Sequence, residues 1–316
     1  MYFPYLFARR FELLALRDAS EEFELSATVV PVLEPVKTVS SDLLRCMRVL
    51  AERDAQTVVI TNPYQGDFRN GVPTLWTDAI EPLFAENTSL LPGFLCRQAT
   101  TAAQVRAFLA RFPRRDVALL YWSPQLTDAQ LTTLAAEPRI KFHINLHDRM
   151  SAAQRGMLPR QKVVDIRDNF NALDRNADYN GAEFFTDRHL TFAQNAVGYG
   201  DYLLIGSTFR EGGGQPNAVA IHATYKQPRT GHIWVEHFVS DDVERAIGTV
   251  EGKFQQAARK LVRAITRRPA EFGDNNALRA YRDDVTANHF PGLGESKRRQ
   301  VHHHIAVNHL LISGDL

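Results

Sequence analysis

An alternation of strand-like and helix-like segments, repeated eight times, constrains the fold of this chain more than any other feature. Apolar runs of strand length are separated by amphipathic stretches of helical length, an order typical of parallel strands joined by right-handed crossover helices. The eight strand-like runs are Tyr2 to Leu6, Val29 to Glu34, Thr57 to Thr61, Leu91 to Cys96, Val117 to Trp122, Ile140 to Leu146, Lys162 to Arg167 and Tyr202 to Ser207. They predict an α/β fold, a closed (β/α)8 barrel of the TIM type.

The segment that follows the eighth run predicts additions to this barrel. Two β-rich runs, Ala218 to Tyr225 and His232 to Ser240, flank a short segment with Pro and Gly, which indicates an antiparallel β-hairpin laid over one end of the barrel. Asp241 and Asp242 are placed to cap a long helix that runs to about Arg268. The expected organisation is a barrel over residues 1–268 that includes the hairpin at 218–240, followed by a C-terminal helical extension over 269–316.

Charge and composition argue against several classes of protein. The chain has 37 basic and 36 acidic side chains, and this balance supplies no long-range field that would hold nucleic acid or an anionic membrane. Cys46 and Cys96 are too few for a disulfide scaffold and are interpreted as small buried residues in a reducing compartment. No run approaches the roughly 18 apolar residues that cross a bilayer, so we expect a cytoplasmic protein with no membrane partner.

Polar side chains at the carboxyl ends of the predicted strands are candidate site residues, because ligands bind at that end of a (β/α)8 barrel. The sixth run is the most informative, since His143, Asn145 and His147 share one face by the two-residue period of a strand. Asp165 and Arg167 repeat this pattern in the seventh run. Helices cover the outside of such a barrel, so the polar face is expected to line the interior.

Two interpretations of these polar residues stay open. In the catalytic interpretation, the acids, bases or metal ligands are Glu34, His147, Asp165 and His222, and the ligand-binding residues are Arg9, Asn62, Arg97, Asn145 and Arg167. In the structural interpretation, ion pairs such as Asp165 with Arg97 or Arg167 fill the barrel. The structural interpretation is favoured, because spacing alone does not distinguish a catalytic group from an internal ion pair.

No motif predicts a cofactor or a metal ion. The Gly212-Gly213-Gly214 run lacks the Lys-Ser/Thr of a Walker loop and does not fit the dinucleotide fingerprint, so a turn is favoured. Near the C-terminus, Lys297-Arg298-Arg299 precedes His302-His303-His304 in a helical pattern. This basic segment could contact nucleic-acid phosphates, but a solvated helix face is the favoured interpretation.

Seven short segments together resemble the bacterial and prophage "beta protein" family and its uncharacterised relatives. They are Met1 to Leu6, Phe11 to Leu16, Val30 to Val36, Tyr199 to Tyr202, Gly212 to Gly214, Ala218 to Tyr225 and Glu236 to Asp241. The resemblance implies a partner role, because members look like products of two- or three-gene defence cassettes in which the beta protein restrains a toxic neighbour. It assigns no catalytic residues.

The expected function is therefore that of an immunity or regulatory subunit. It would bind and restrain a companion effector, a nuclease-like toxin encoded by a neighbouring gene, in a bacterial phage-defence or toxin–antitoxin system. The alternative is a hydrolase or lyase, metal-dependent or not, that uses the carboxylates and histidines of the barrel mouth. Fold-level analogy favours the alternative, since most barrels of this kind are enzymes.

Overall fold

The predicted barrel is present in the computed structural model, which describes residues 1–211 and 216–316. Eight parallel strands close on themselves, and β1 pairs with both β2 and the last strand. The barrel strands are β1 (Tyr2–Leu6), β2 (Val32–Leu33), β3 (Thr57–Ile60), β4 (Leu90–Cys96), β5 (Val117–Tyr121), β6 (Ile140–Leu146), β7 (Val163–Arg167) and, after β8 (Ala182–Thr186) of a separate sheet, β9 (Gly198–Asp201). The run Gly212-Gly213-Gly214 lies outside the described residues.

Helices follow most of the barrel strands, as the amphipathic stretches predict. The helices up to β9 are α1 (Arg10–Glu22), α2 (Ser41–Glu52), α3 (Thr74–Glu86), α4 (Ala102–Arg111), α5 (Asp128–Ala135), α6 (Ala152–Gly156) and α7 (Arg188–Thr191). Thr101, Thr127 and Ser151 each begin a helix with a capping box, in which the hydroxyl accepts a hydrogen bond from the third backbone N–H of the helix.

The eighth barrel strand lies earlier in the chain than predicted. Tyr202 to Ser207 is the more apolar segment, but the strand is Gly198–Asp201. Gly198 and Gly200 face β1, and a Cβ atom at Gly200 would overlap the backbone carbonyl oxygen of Phe3. The last strand therefore needs glycine for close approach rather than bulky apolar side chains, and an apolar pattern does not reveal it.

The polar face of β6 points outward, so its predicted inward orientation is wrong. The ring of Phe142 on β6 lies 5.1 Å from the ring of Phe3 on β1, and these two strands are not neighbours in the barrel. Two rings can meet across the barrel only if both point inside, which places Phe142, Ile144 and Leu146 in the interior. By alternation, His143 and Asn145 face the surrounding helices.

A second, antiparallel sheet contains the predicted hairpin. Its strand order is β10 (Ala220–Lys226), β11 (Ile233–Val239) and β8, and β10 pairs with β11 from Ala220 opposite Val239 to Lys226 opposite Ile233. The hairpin prediction is confirmed, whereas the third strand, β8, was not predicted.

Four helices complete the chain. They are α8 (Val250–Arg267), α9 (Pro269–Phe272), α10 (Asn276–Ala287) and α11 (Leu293–Ser313). The predicted start of α8 at Asp241 and Asp242 is wrong. Thr249 is the cap and accepts a hydrogen bond from the Gly252 N–H, because Gly248, at φ +69°, interrupts the helical conformation before it.

The predicted basic face of α11 is also wrong. His302, His303 and His304 are buried, and the His304 Nδ1 lies 3.1 Å from the Thr224 hydroxyl of β10. Arg298 is paired with Asp18, and Arg299 is paired with Asp284. These histidines therefore pack in the core instead of facing solvent.

Cα proximity groups the described residues into two compact units. The barrel unit comprises Met1–Leu13, Glu24–Asp168 and Thr191–Tyr202, and the second unit comprises Leu14–Phe23, Asn169–Leu190 and Leu203–Leu316. The expected domain boundary at residue 268 and the expected position of the hairpin over the barrel stay predictions. Within the described residues, no helix combines the length and apolar content that crossing a bilayer requires.

Candidate active site

The carboxyl ends of the barrel strands form one edge of the barrel, its mouth. Glu34 is the most unusual ionisable group at this mouth. It follows β2 directly and is 1% exposed. One carboxylate oxygen, Oε2, accepts hydrogen bonds from the Tyr5 hydroxyl at 2.7 Å and from the Gln65 side-chain amide at 3.1 Å. The other oxygen, Oε1, is buried and has no hydrogen-bond partner among the described residues. An unpaired carboxylate oxygen in a buried site is costly, which makes Oε1 the atom that takes up a proton.

Burial raises the pKa of Glu34 to about 7. The hydrogen bonds from Tyr5 and Gln65, and the positive charge of Arg97, lower the pKa but do not offset the loss of solvent. A carboxyl group with this pKa is present in both protonation states near neutral pH. It can therefore donate or accept a proton, as a general acid or base must.

Tyr202 brings a second unpartnered polar atom to the same mouth. Its ring centre lies 4.7 Å from that of Tyr5, and its hydroxyl is buried without a hydrogen-bond partner in the described parts of the chain. Burial raises the pKa of Tyr202 well above its ordinary value, and the nearby charge of Glu34 adds to this effect. The phenol is therefore neutral and available as a hydrogen-bond donor.

His147 completes this group from the end of β6. Its ring stacks on Tyr202 at 4.7 Å and meets the edge of Trp122 at 5.0 Å. The Nε2 atom is buried and, within residues 1–211 and 216–316, lacks a hydrogen-bond partner. Burial lowers the pKa of His147, and Arg149 adds to this effect while Asp168 and Asp148 oppose it. The imidazole is thus mainly neutral at about pH 7.

Left-handed backbone conformations are concentrated at this edge of the barrel. Strict alternation would turn His147 outward with His143 and Asn145, but His147 has φ +54° and its ring meets the inward-facing Tyr202. Other non-glycine residues with positive φ also follow barrel strands; they are Ala8, Ser123, Asp148 and Leu203. Residues held in such conformations cost energy and cluster at functional sites.

The predicted ligand-binding residues Arg9, Asn62 and Arg97 have different surroundings. Arg9 pairs with the buried Glu12. Asn62 exchanges two hydrogen bonds with the backbone of Leu95, at 2.8 and 3.0 Å, and so continues the pairing of β3 with β4. Arg97 follows β4, and its guanidinium lies over the Tyr64 ring at 4.5 Å. Of these three, Arg97 is the one that influences the pKa of Glu34.

Asn145, Asp165 and Arg167 do not join Glu34. Asp165 accepts hydrogen bonds from Arg155 of α6, at 2.5 to 3.2 Å, and from Asn145 at 3.0 Å. Arg167 forms an exposed ion pair with Asp148 at 2.7 Å. Asp165 is therefore part of an ion pair, but the predicted pairing with Arg97 or Arg167 inside the barrel is wrong, because the partner is Arg155 of a covering helix.

His222 lies in the second unit, on β10. Its Nδ1 is 2.8 Å from the Nδ1 of His237, and the Nε2 of His237 is 3.3 Å from Glu183. The rings of Phe170 and Tyr179 contact the same pair of histidines. Burial lowers the pKa of both histidines, so one neutral ring donates to the other. The contacts of His222 are thus those of a buried hydrogen-bond chain.

Two other features bear on the choice of site. A cavity of about 750 Å³ lies between the C-terminal ends of α3 and α4. These helix ends lead into the starts of β4 and β5, so the cavity lies at the edge of the barrel opposite the mouth. In the described residues, no group of three or more His, Cys, Asp or Glu side chains is arranged to hold a metal ion.

The sequence pattern does not identify several residues of the mouth. Tyr5 and Tyr202 lie in apolar runs that are typical of strands, and Gln65, Trp122 and Arg149 lie in loops or at strand ends. For Tyr5, its position relative to Glu34 is a usable signal. Both lie at the carboxyl ends of neighbouring strands, and parallel pairing aligns such ends.

No protein-family model, no curated protein and no solved structure matches this chain. The resemblance to beta proteins therefore stays a prediction.

Proposed function

We propose that the barrel mouth is an acid–base catalytic site in which Glu34 exchanges a proton with a small-molecule substrate. The observation that carries the proposal is the unpartnered Oε1 of a buried carboxyl group whose pKa is about 7. A purely structural glutamate would have both oxygens paired, as Asp165 has with Arg155 and Asn145. Hydrolysis and elimination both need such a proton transfer, so Glu34 supports the hydrolase or lyase hypothesis.

The neighbouring side chains have separate tasks in this proposal. Tyr5 and Gln65 both donate to Oε2 and so leave Oε1 to exchange the proton. Tyr202 and His147 each supply a polar atom that a bound substrate would pair. The aromatic rings of Tyr5, Tyr202 and Trp122 give the mouth apolar walls, which is typical of small-molecule sites.

Replacing Glu34 with glutamine tests this proposal directly. Glutamine has nearly the same shape and keeps an oxygen for Tyr5 and Gln65, but it exchanges no proton. We expect turnover to fall by at least about 100-fold, as is usual when a general acid or base is removed. The measurement is mass spectrometry of a bacterial metabolite extract incubated with the purified natural protein or with Glu34→Gln.

The control for this experiment is Glu86→Gln, because Glu86 is an exposed carboxylate at the end of α3. This variant should convert the same metabolites as the natural protein. Equal conversion by Glu34→Gln and Glu86→Gln would contradict the proposal. So would the absence of any conversion by the natural protein.

Tyr202→Phe separates catalysis from stability. The substitution removes a buried hydroxyl without a partner, so the free energy of unfolding should stay constant or rise by up to about 1 kcal/mol. Turnover should nevertheless fall, since the substrate loses a donor. Tyr281→Phe is the contrasting variant: the Tyr281 hydroxyl bonds to Ser296 at 2.9 Å, and its loss should cost about 1 kcal/mol. Urea unfolding of both variants measures the difference, and a destabilised Tyr202→Phe would contradict this assignment.

The partner role implied by the resemblance stays a separate prediction. Co-expression with the product of the neighbouring gene tests it. A restraining subunit should co-purify with its neighbour and reduce the toxicity of that neighbour. If Glu34→Gln retained this effect in full, the acid–base site would have no part in it.

A further inference from the structure

Two arginines at the barrel mouth have no acidic partner among the residues that the structure describes. Arg97 follows β4, Arg149 follows β6, and both are exposed. Neither guanidinium forms an ion pair within the described parts of the chain, whereas Arg155 and Arg167 nearby are paired with Asp165 and Asp148. The unpaired state is thus a property of these two positions and not of arginines in this region generally.

Each of the two guanidinium groups lies on an aromatic ring that follows a neighbouring strand. Arg97 lies 4.5 Å from the centre of Tyr64, and Arg149 lies 5.4 Å from the centre of Trp122. Stacking on a ring orients the plane of a guanidinium and leaves its N–H groups free to bind in that plane. Both arginines therefore have N–H donors available without any rearrangement of a salt bridge.

The positive charge of each arginine acts on residues of the proposed site. Arg97 acts electrostatically on Glu34, and Arg149 acts on Tyr202 and His147. Besides Glu34 itself, the acidic groups nearby are Asp148, which is already paired with Arg167, and Asp168. A cationic substrate would meet two unpaired positive charges here, whereas an anionic substrate would neutralise them.

We infer that the substrate of this site carries an oxyanion, a carboxylate or a phosphate, which Arg97 and Arg149 bind while Glu34 exchanges the proton. The inference rests on the proposed function of the mouth and names the class of its substrate. Arginine suits both groups, because its planar fork forms two parallel hydrogen bonds with a carboxylate or a phosphate. An anion held near Glu34 also favours the protonated, neutral form of that carboxyl group, so the bound substrate prepares Glu34 to act as an acid.

Isothermal titration calorimetry of the full chain with sulfate, inorganic phosphate and malonate tests this inference. Sulfate is the reference probe because it keeps its charge across the pH range of interest. Malonate and phosphate then distinguish a carboxylate site from a phosphate site. Arg97→Gln and Arg149→Gln should each weaken binding of the preferred anion at least tenfold. Arg97→Lys should recover part of the lost affinity, because lysine restores the positive charge but not the planar guanidinium with its parallel N–H donors.

Arg106→Gln is the control, because Arg106 is an exposed arginine of α4 and lies on the outer helix layer. This variant should bind all three anions as the natural protein does. The unfolding midpoints of all four variants should match, since the substituted side chains are exposed. No binding of any probe would overturn the inference, and so would binding that both Arg97→Gln and Arg149→Gln leave unchanged.

Glu34→Gln separates this inference from the proposed function. The variant keeps both arginines and should still bind the anion. Anion binding that depends on the arginines, together with unchanged turnover in Glu34→Gln, would contradict the proposed function alone. Turnover that depends on Glu34, together with no anion binding, would contradict the substrate class alone.

Discussion

Glu34→Gln should make the protein more stable than the natural sequence at about pH 8, and this advantage should shrink as the pH falls. The folded state holds Glu34 with a pKa of about 7, raised by burial from its ordinary 4.5. The folded protein therefore binds the proton more tightly than the unfolded chain does. The stability that this tighter proton binding contributes is fully present below about pH 4.5 and is lost as the pH rises through about 7.

The expected size of this effect follows from the displacement of the pKa. Between about pH 4.5 and pH 8, the natural protein should lose about 2–3 kcal/mol of unfolding free energy relative to Glu34→Gln. Glu34 is almost fully buried, so solvent does not screen this contribution appreciably. The glutamine keeps an oxygen that accepts from Tyr5 and Gln65, but it places an unpaired amide at the Oε1 position. This amide lowers the stability advantage of Glu34→Gln by the same amount at every pH.

Amide hydrogen exchange of β1, β2 and β3 at several pH values measures this difference. It reports on the barrel unit even if the second unit unfolds separately. Glu86→Gln should differ from the natural protein by the same small amount at every pH, since its carboxylate is exposed. A pH-independent difference for Glu34→Gln as well would mean that the Glu34 carboxyl group titrates normally, and the proposed function would lose its main support.

Gly200→Ala should prevent the barrel from closing properly. Gly200 pairs with Phe3 where β9 meets β1, and an added Cβ atom would overlap the Phe3 carbonyl oxygen and press on Ile166. Backbone cannot move aside as a flexible side chain can, so we expect a loss of about 3 kcal/mol or more. The readout is the urea midpoint of unfolding, together with exchange rates of the amides of β1 and β9.

Gly156→Ala is the matched control for this prediction. Gly156 is the last residue of α6, and a Cβ atom there would have no neighbouring atom within 4 Å. Alanine in a helix restricts the unfolded chain, so this variant should be neutral or more stable by about 0.4–1 kcal/mol. Similar midpoints for the two variants would show that the β1–β9 contact is less close than described.

Side-chain orientation was the least predictable property of the site. Asn145 and Asp165 alternate with apolar neighbours, and such alternation usually identifies the solvent-exposed face of a sheet. In a closed parallel barrel both faces of a strand are buried, so alternation does not indicate which face is inside. The orientation is decided by the Phe3–Phe142 contact across the barrel and by the pair of Asp165 with Arg155 of α6. The sequence pattern of a strand predicts neither contact, because each joins the strand to a residue of another element.

The composition of the mouth was predictable only in part. Glu34 ends a predicted strand, Arg97 and His147 each follow one, and the structure places all three at that edge of the barrel. Tyr202 was assigned to a strand because its neighbours are apolar, yet it follows β9 and contacts Tyr5 and His147. His222 was expected in the mouth, but it belongs to the second unit and pairs with His237.

The sequence by itself determined the barrel, the hairpin and the strand ends at which Glu34, Arg97 and His147 lie. These features follow from periodicity, because burial imposes a repeat of two on strands and about 3.6 on helices wherever they occur. Only the tertiary structure decided that Oε1 of Glu34 lacks a hydrogen-bond partner among the described residues while Asp165 is paired. Partners and solvent exclusion come from residues far apart in the chain, and a pattern along the chain carries no information about which of them meet.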